Sequence, residues 1–182
     1  MKKISFLFLS LLLLTFYHCE TQNTASGILA RPQDSLTTII LVRHAEKILE
    51  IKDPGLTGEG IRRAEELAYW LKNVPVDAIY STQFARTMQT AQPTATAKGL
   101  EIQLYDPGDP EALADELFSS YKGKTILVVG HSNTTPALAN ILIGSIALSD
   151  FDESIYDNIL MVTAFEKGKA KLLRLKYGDR SE

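Results

Sequence analysis

Cysteine is nearly absent: the 182-residue chain has one, Cys19, just behind an N-terminal apolar run. A domain that keeps no thiol, or only a modified one, forms no disulfide and cannot use a cysteine nucleophile. Histidine is scarce too, with His18 in the N-terminal segment and only His44 and His131 beyond it. Two imidazoles are poor support for zinc, which takes three or four ligands. No Gly-x-x-x-x-Gly-Lys or Gly-x-Gly-x-x-Gly loop occurs, so nucleotide binding has no support. Basic stretches are missing as well. The net charge of −3 becomes −5 once Lys2 and Lys3 are removed, which argues against a nucleic-acid partner. Past residue 16 no apolar run is long enough to span a bilayer.

What is present begins with Lys2 and Lys3 followed by the apolar run Ile4 to Phe16. A basic start and about a dozen apolar residues form a secretory signal, assigned to residues 1–18. Cys19 stands where bacterial lipoprotein signals end, although Phe16, Tyr17 and His18 are larger than such signals favour. The expectation is an exported protein of the periplasm or cell envelope, with a possible lipid anchor at Cys19 as its membrane contact. Residues 19–36 are polar and broken by Gly27 and Pro32, and read as a flexible tether. One domain is expected over residues 37–178.

Within it, strand and helix patterns alternate. Thr38 to Val42 is a β-branched apolar run, suited to a buried strand. Leu56 to Asn73 has Ile61, Ala64, Leu67, Ala68 and Leu71 at helical spacing. Asp77 to Tyr80 and Glu101 to Tyr105 read as strands, on either side of a helix over Phe84 to Lys98 that Pro93 is expected to kink or interrupt. Asp109-Pro110 opens a helix with Leu113, Leu117, Phe118 and Tyr121 on one stripe. Thr125 to Val129 is a continuous apolar strand, and a helix from about Asn133 to Ile143 stops at Gly144. Asn158 to Phe165 and Ala170 to Leu175 flank the turn Glu166-Lys167-Gly168-Lys169, a closing hairpin. The fold class that follows is α/β: a mostly parallel sheet flanked by helices, with a C-terminal β-hairpin.

Ligands of such sheets sit beyond the carboxyl ends of the strands. His44 and His131 both follow predicted strands directly, and Arg43 is the neighbour of His44. Gly130-His131-Ser132-Asn133-Thr134 nearly spells the nucleophile elbow of serine hydrolases, but its last position is not glycine and no histidine follows Ser132. His44-Ala45-Glu46 resembles half of a zinc deaminase signature whose paired cysteines are missing. What remains is phosphoryl transfer to an imidazole nitrogen. The nonbridging oxygens carry charge through the transition state, and planar, permanently charged guanidiniums suit them. Arg43 is one candidate; Arg86, in the first turn of the helix after the second strand, is another. A protonated His131 and the N–H groups of the helix after it suit the same anion.

These segments resemble the histidine phosphatases, the phosphoglycerate mutase-like superfamily. Leu41-Val42-Arg43-His44-Ala45-Glu46 is similar to the family's Arg-His-Gly segment, with Ala45 in place of glycine as in the small phosphohistidine phosphatases. Leu56-Thr57-Gly58-Glu59-Gly60 resembles its Leu-Thr-x-x-Gly. Tyr80-Ser81-Thr82 through Arg86-Thr87-Met88-Gln89-Thr90-Ala91 resembles its second-arginine block, and Val129-Gly130-His131-Ser132-Asn133 its second-histidine block. The resemblance implies a three-layer fold. It implies that His44 is phosphorylated, that Arg43, Arg86 and His131 hold the phosphate, that no metal or other cofactor is used, and that water then hydrolyses the phosphohistidine. The family's proton donor is usually an acid after the third strand. Asp109 is taken for it here, with Asp106 and Glu111 as alternatives, and Asp109 reads equally well as a helix cap.

Thr57, Ser132 and Asn133 are read as helix caps, and Glu46 and Lys47 as loop charges. Asp150, Asp152, Glu153 and Asp157 form a solvated loop or border the cleft and disfavour highly anionic substrates. The short chain leaves little loop length to cover a site, so the pocket is expected to be open, as suits a phosphatase more than a mutase. Phosphorylated small molecules or a phosphoprotein side chain are the expected partners. The competing expectation is a noncatalytic phospho-ligand binding module on the same fold.

Overall fold

The computed structural model describes residues 36–49 and 51–181. The segments assigned to a signal (residues 1–18) and, up to residue 35, to a tether, Cys19 included, lie outside them. The elements are β1 (Thr37–Arg43), α1 (Gly58–Trp70), β2 (Ala78–Ser81), α2 (Ala85–Lys98), β3 (Ile102–Leu104), α3 (Pro110–Ser120), β4 (Thr125–Gly130), α4 (Thr134–Ile143), β5 (Asn158–Glu166) and β6 (Lys169–Lys176). They build one six-stranded sheet in the order β3-β2-β4-β1-β5-β6. The first four strands in that order are parallel; β5 runs antiparallel to β1, and β6 antiparallel to β5.

Two apolar layers explain the continuous hydrophobic runs of β1 and β4. Ile39, Leu41, Ile126 and Val128 face Leu113, Ala114 and Leu117 of α3 and Leu138, Ala139 and Leu142 of α4. Ile40, Val42, Leu127 and Val129 face the opposite layer, with Leu67 of α1 and Ala91 and Ala95 of α2. A central strand apolar on both sides needs helices on both sides, and the α/β/α sandwich supplies them.

Local chemistry sets the boundaries. Thr57 accepts a hydrogen bond from Gly60 N at 3.1 Å and caps α1. A side chain at Gly60 would collide with the backbone oxygen of Glu46, so the glycine lets α1 close against the loop after β1. α4 ends on Gly144 in the left-handed region at φ 72°.

Three expectations are corrected. α2 runs unbroken through Pro93. The missing N–H releases the Gln89 carbonyl, while Thr90, Ala91, Thr94 and Ala95, buried on both sides of the proline, hold the helix to the sheet. The buried side of α2 is accordingly richer in threonine than its apolar spacing suggests. Ile61 is half exposed, whereas Arg63 is buried. The Arg63 guanidinium pairs with Glu46 at 2.7 Å and donates to the carbonyls of Tyr177 and Asp179, so a charge takes the place assigned to an apolar side chain. Glu46 is therefore no free loop charge.

Candidate active site

Strand register brings the distant segments level. Arg43 lies opposite Gly130, and Ser81 lies opposite both Val129 and Leu104. His44 N donates to Gly130 O at 2.9 Å, which carries the β1–β4 ladder one residue past the strand. Gly130 admits no side chain, since a Cβ there would press on the Tyr105 hydroxyl and the Thr135 and Thr134 oxygens. The carboxyl ends of β1, β2 and β4 thus converge with α2 and α4 starting beside them.

His44 and His131 meet here with ring centroids 5.6 Å apart and planes inclined at 67°. His44 Nδ1 lies 2.8 Å from Ala45 O. A carbonyl only accepts, so the proton is on Nδ1 and the Nε2 lone pair is free. Ala45 is fixed in turn, its N–H donating to Thr90 Oγ1 at 2.9 Å. His131 carries the opposite tautomer. Arg86 Nη2 approaches its Nδ1 at 3.3 Å, and because a guanidinium only donates, Nδ1 accepts. His131 Nε2–H then donates to Thr82 Oγ1 at 3.0 Å, Thr82 donates to Thr87 Oγ1 at 2.9 Å, and Thr87 donates to Phe84 O at 2.8 Å.

Burial, foremost, pulls the His44 pKa down to about 3, with Arg43, Arg86 and His131 adding to the effect against the Ala45 hydrogen bond. Burial, then Arg86, Arg43 and Lys47, pulls His131 down to about 4. Both rings are neutral near pH 7. An unfolded histidine protonates near 6.5, so between that pH and about 4 the unfolded chain binds more protons. Stability therefore rises with pH across this window. Thermal melts are expected to lose stability from pH 6.5 to 5, above the carboxylate range, and a His44→Asn/His131→Asn double variant to flatten that slope. An equally steep slope in the variant would place the titration elsewhere.

The guanidiniums are held by backbone and by acids. Arg43, only 1% exposed, donates through Nη1 to the carbonyls of Asp152, Glu153 and Ile155 at 3.0–3.1 Å. Its Nη2 meets Glu153 Oε2 at 2.7 Å, and its plane lies 4.2 Å from the Tyr156 ring centre. Arg86 lies over Phe84, with Asp53 3.8 Å from its Nη1. Asp53 has φ 50°, which turns its carboxylate onto the Ala85 N–H at the start of α2. The Nε atoms of Arg43 and Arg86 are buried and find no acceptor among the described residues. Buried donors in native proteins are nearly always satisfied, and an oxyanion is the acceptor that suits two cations and two imidazoles.

Arg43, His44, Arg86 and His131 are therefore brought together, and Asp109 is not. Its carboxylate accepts from Ala112 N at 3.0 Å as the cap of α3. This corrects its assignment as proton donor: the helix it starts claims the carboxylate. Glu111 pairs with Lys167 at 3.0 Å. Asp106 lines a cavity beside Phe84, its Oδ1 accepting from Gly108 N. Ser132 does not cap α4 but donates to Glu153, and Asn133 makes no side-chain cap. Thr82, Thr87, Asp53 and Tyr156 carry no site reading in the sequence, and Glu153 enters it only as one acid of a loop that could border the cleft. For Thr82 and Thr87 the signal lies in the five-residue spacing around the second-arginine block; Glu153 lies 110 residues from Arg43, so its partner is not legible in the sequence.

The fold and this cluster define an α/β domain with two guanidiniums and two imidazoles gathered at a strand-order switch point. Residues 39–107 match the model of the histidine phosphatase superfamily (branch 1). Over 74 residues the chain is 38% identical to phosphoserine phosphatase 1 of Hydrogenobacter thermophilus, covering 37% of this chain and about a third, 35%, of that protein's length. Its fold is similar to the protein histidine phosphatase SixA solved with tungstate, at a TM-score of 0.62 and 19% identity over 76% of this chain and 96% of that one. It is also similar to phosphoserine phosphatase of Entamoeba histolytica in complex with 3-phosphoglyceric acid, at a TM-score of 0.57 and 20% identity over 79% and 97% of the two chains.

Proposed function

We propose that the chain is a phosphatase that hydrolyses phosphomonoesters or phosphoramidates through a phosphohistidine on His44. The observation that carries this reading is a neutral imidazole whose proton is tied to Ala45 O, with its Nε2 lone pair free beside two guanidiniums. In the first step Nε2 attacks phosphorus, the P–N bond forms, and the bond to the leaving group breaks with its electron pair going to the leaving atom. Arg43 and Arg86 bind the nonbridging oxygens. His131 takes a proton at Nδ1 as the anion enters and donates it as a hydrogen bond to the same group. Asp106, on the cavity wall beside Phe84, is the carboxyl placed to protonate a poor leaving group. In the second step water attacks phosphorus, the P–N bond breaks, its electron pair returns to Nε2, and the water proton goes to the base left by the first step. Orthophosphate leaves.

The test is phosphate release from a generic aryl phosphate, together with a base-stable, acid-labile radiolabel on the denatured protein after a brief reaction with labelled ester. Tight vanadate binding with no turnover would favour the noncatalytic binding module instead.

Glu153 has a role in this scheme that composition hides. Ser132 first, then Arg43 and Lys47, hold its carboxyl below the usual range, so it is an anion rather than a proton donor. It lies on Arg43 Nη2, where a substrate oxygen would compete with it. Its side chain is 68% exposed, so the competition is modest. Glu153→Gln is expected to lower the inhibition constant of orthophosphate roughly two- to fivefold, the scale of an exposed ion pair. An unchanged or raised constant would show that Glu153 does not compete.

A further inference from the structure

A cavity of about 540 Å³ opens next to the imidazole pair, lined by Gln83, Phe84, Leu104, Tyr105, Asp106 and Pro107. Its wall is continuous with the anion cradle, because the Phe84 ring meets His131 edge-on at 5.2 Å and lies 4.6 Å from the Arg86 guanidinium. A phosphoryl group held by Arg86 and His131 therefore lies within reach of the Phe84 ring. The same cavity is lined by Leu104, 59% exposed at the carboxyl end of β3, and by Tyr105, whose hydroxyl donates to Val129 O at 3.5 Å. Burial raises the Tyr105 pKa to about 12, so this ring adds no charge.

Among the described residues no lysine or arginine lines this cavity, and its one carboxyl is Asp106. A leaving group with a second phosphate or a carboxylate would find no cation there and would face that acid. Two aromatic rings, a leucine and a proline instead suit a flat apolar group, and the volume falls within the range of small-molecule pockets. The proton inventory agrees. Asp109 is committed to α3 and Glu153 to Arg43, which leaves Asp106 as the one carboxyl on this wall, and an aryl oxide leaves with less acid assistance than an alkoxide.

We propose that this cavity is the leaving-group subsite and that it selects phosphate esters of aryl alcohols. The proposal rests on the phosphatase reading above for turnover, but the subsite can be measured without it. Two readouts are compared in wild type and Leu104→Ser, with thermal melts confirming that the variant folds. The first is the ratio of kcat/KM for naphthyl phosphate to that for methyl phosphate, in which intrinsic leaving-group reactivity cancels between the proteins. The substitution is expected to lower that ratio about tenfold, the low end of what an altered apolar contact supplies. The second is equilibrium binding of naphthylmethylphosphonate against methylphosphonate, neither of which is hydrolysed. Wild type should bind the aryl compound more tightly, and Leu104→Ser should lose most of that preference. Aryl preference in binding with no turnover would overturn the phosphatase reading and keep the subsite. Turnover with equal ratios in the two proteins, or no aryl preference in binding, would overturn the subsite. A phosphotyrosyl peptide assayed beside naphthyl phosphate distinguishes sources: matched or better turnover assigns the aryl group to a protein side chain, and turnover of the free ester alone assigns it to a small molecule.

Discussion

Replacing His44 with asparagine is expected to lower turnover by about four orders of magnitude or more, the scale on which loss of a nucleophile acts. The substitution is chosen for its geometry. An asparagine amide nitrogen overlies the imidazole Nδ1, so the donor to Ala45 O can be kept while Nε2, the attacking atom, is gone. The buried position also stays polar and uncharged, as it is in the wild type near pH 7. Vanadate should still bind, since Arg43, Arg86 and His131 are intact. The acid-labile label should vanish with turnover. If steady-state activity fell less than about tenfold in a folded variant, the phosphoryl group would not pass through His44 and the two-step scheme would fail.

Arg86→Ala carries the next largest expectation, a fall in kcat on the order of 10³-fold, as for other arginines aimed at phosphoryl oxygens. Arg86 starts α2 and is partly exposed, so its loss should leave the core untouched. Lysine at this position should recover only part of the rate, because a point charge does not reproduce the planar fork. A second readout separates chemistry from structure. After burial, Arg86 is the largest cause of the low His131 pKa. Its removal should therefore raise that pKa and move to higher pH the limb of the kcat/KM profile on which His131 loses its proton. An unchanged rate and profile in a folded Arg86→Ala protein would take Arg86 out of the site.

Much of this arrangement is legible in the sequence. Histidine and arginine at the ends of apolar runs stand out because the runs mark strands and the residues are few. The alternation of 2- and 3.6-residue periods is a local property, so strands and helices were read nearly in place. The misreadings share a cause. Ile61 and Arg63 exchanged inside and outside because Glu46 and the carbonyls of Tyr177 and Asp179 reach Arg63 from other parts of the chain. Asp109 fits two roles equally well in sequence, and only the path of α3 shows which one its carboxylate takes. Glu153 looked like one acid among several in a polar loop, yet it is the one laid on Arg43.

By itself the sequence determined the α/β order of elements, a domain without cysteine over residues 37–178 and the residue types that could bear a phosphoryl group. These follow from side-chain chemistry and from periodicities a few residues long. Tertiary structure alone decided that β1, β2 and β4 end level, that Thr82 and Thr87 set the tautomer of His131, and which carboxylate faces which guanidinium. Those facts depend on strand register and on which loop crosses the carboxyl edge of the sheet, and both are settled by packing between segments far apart in the chain.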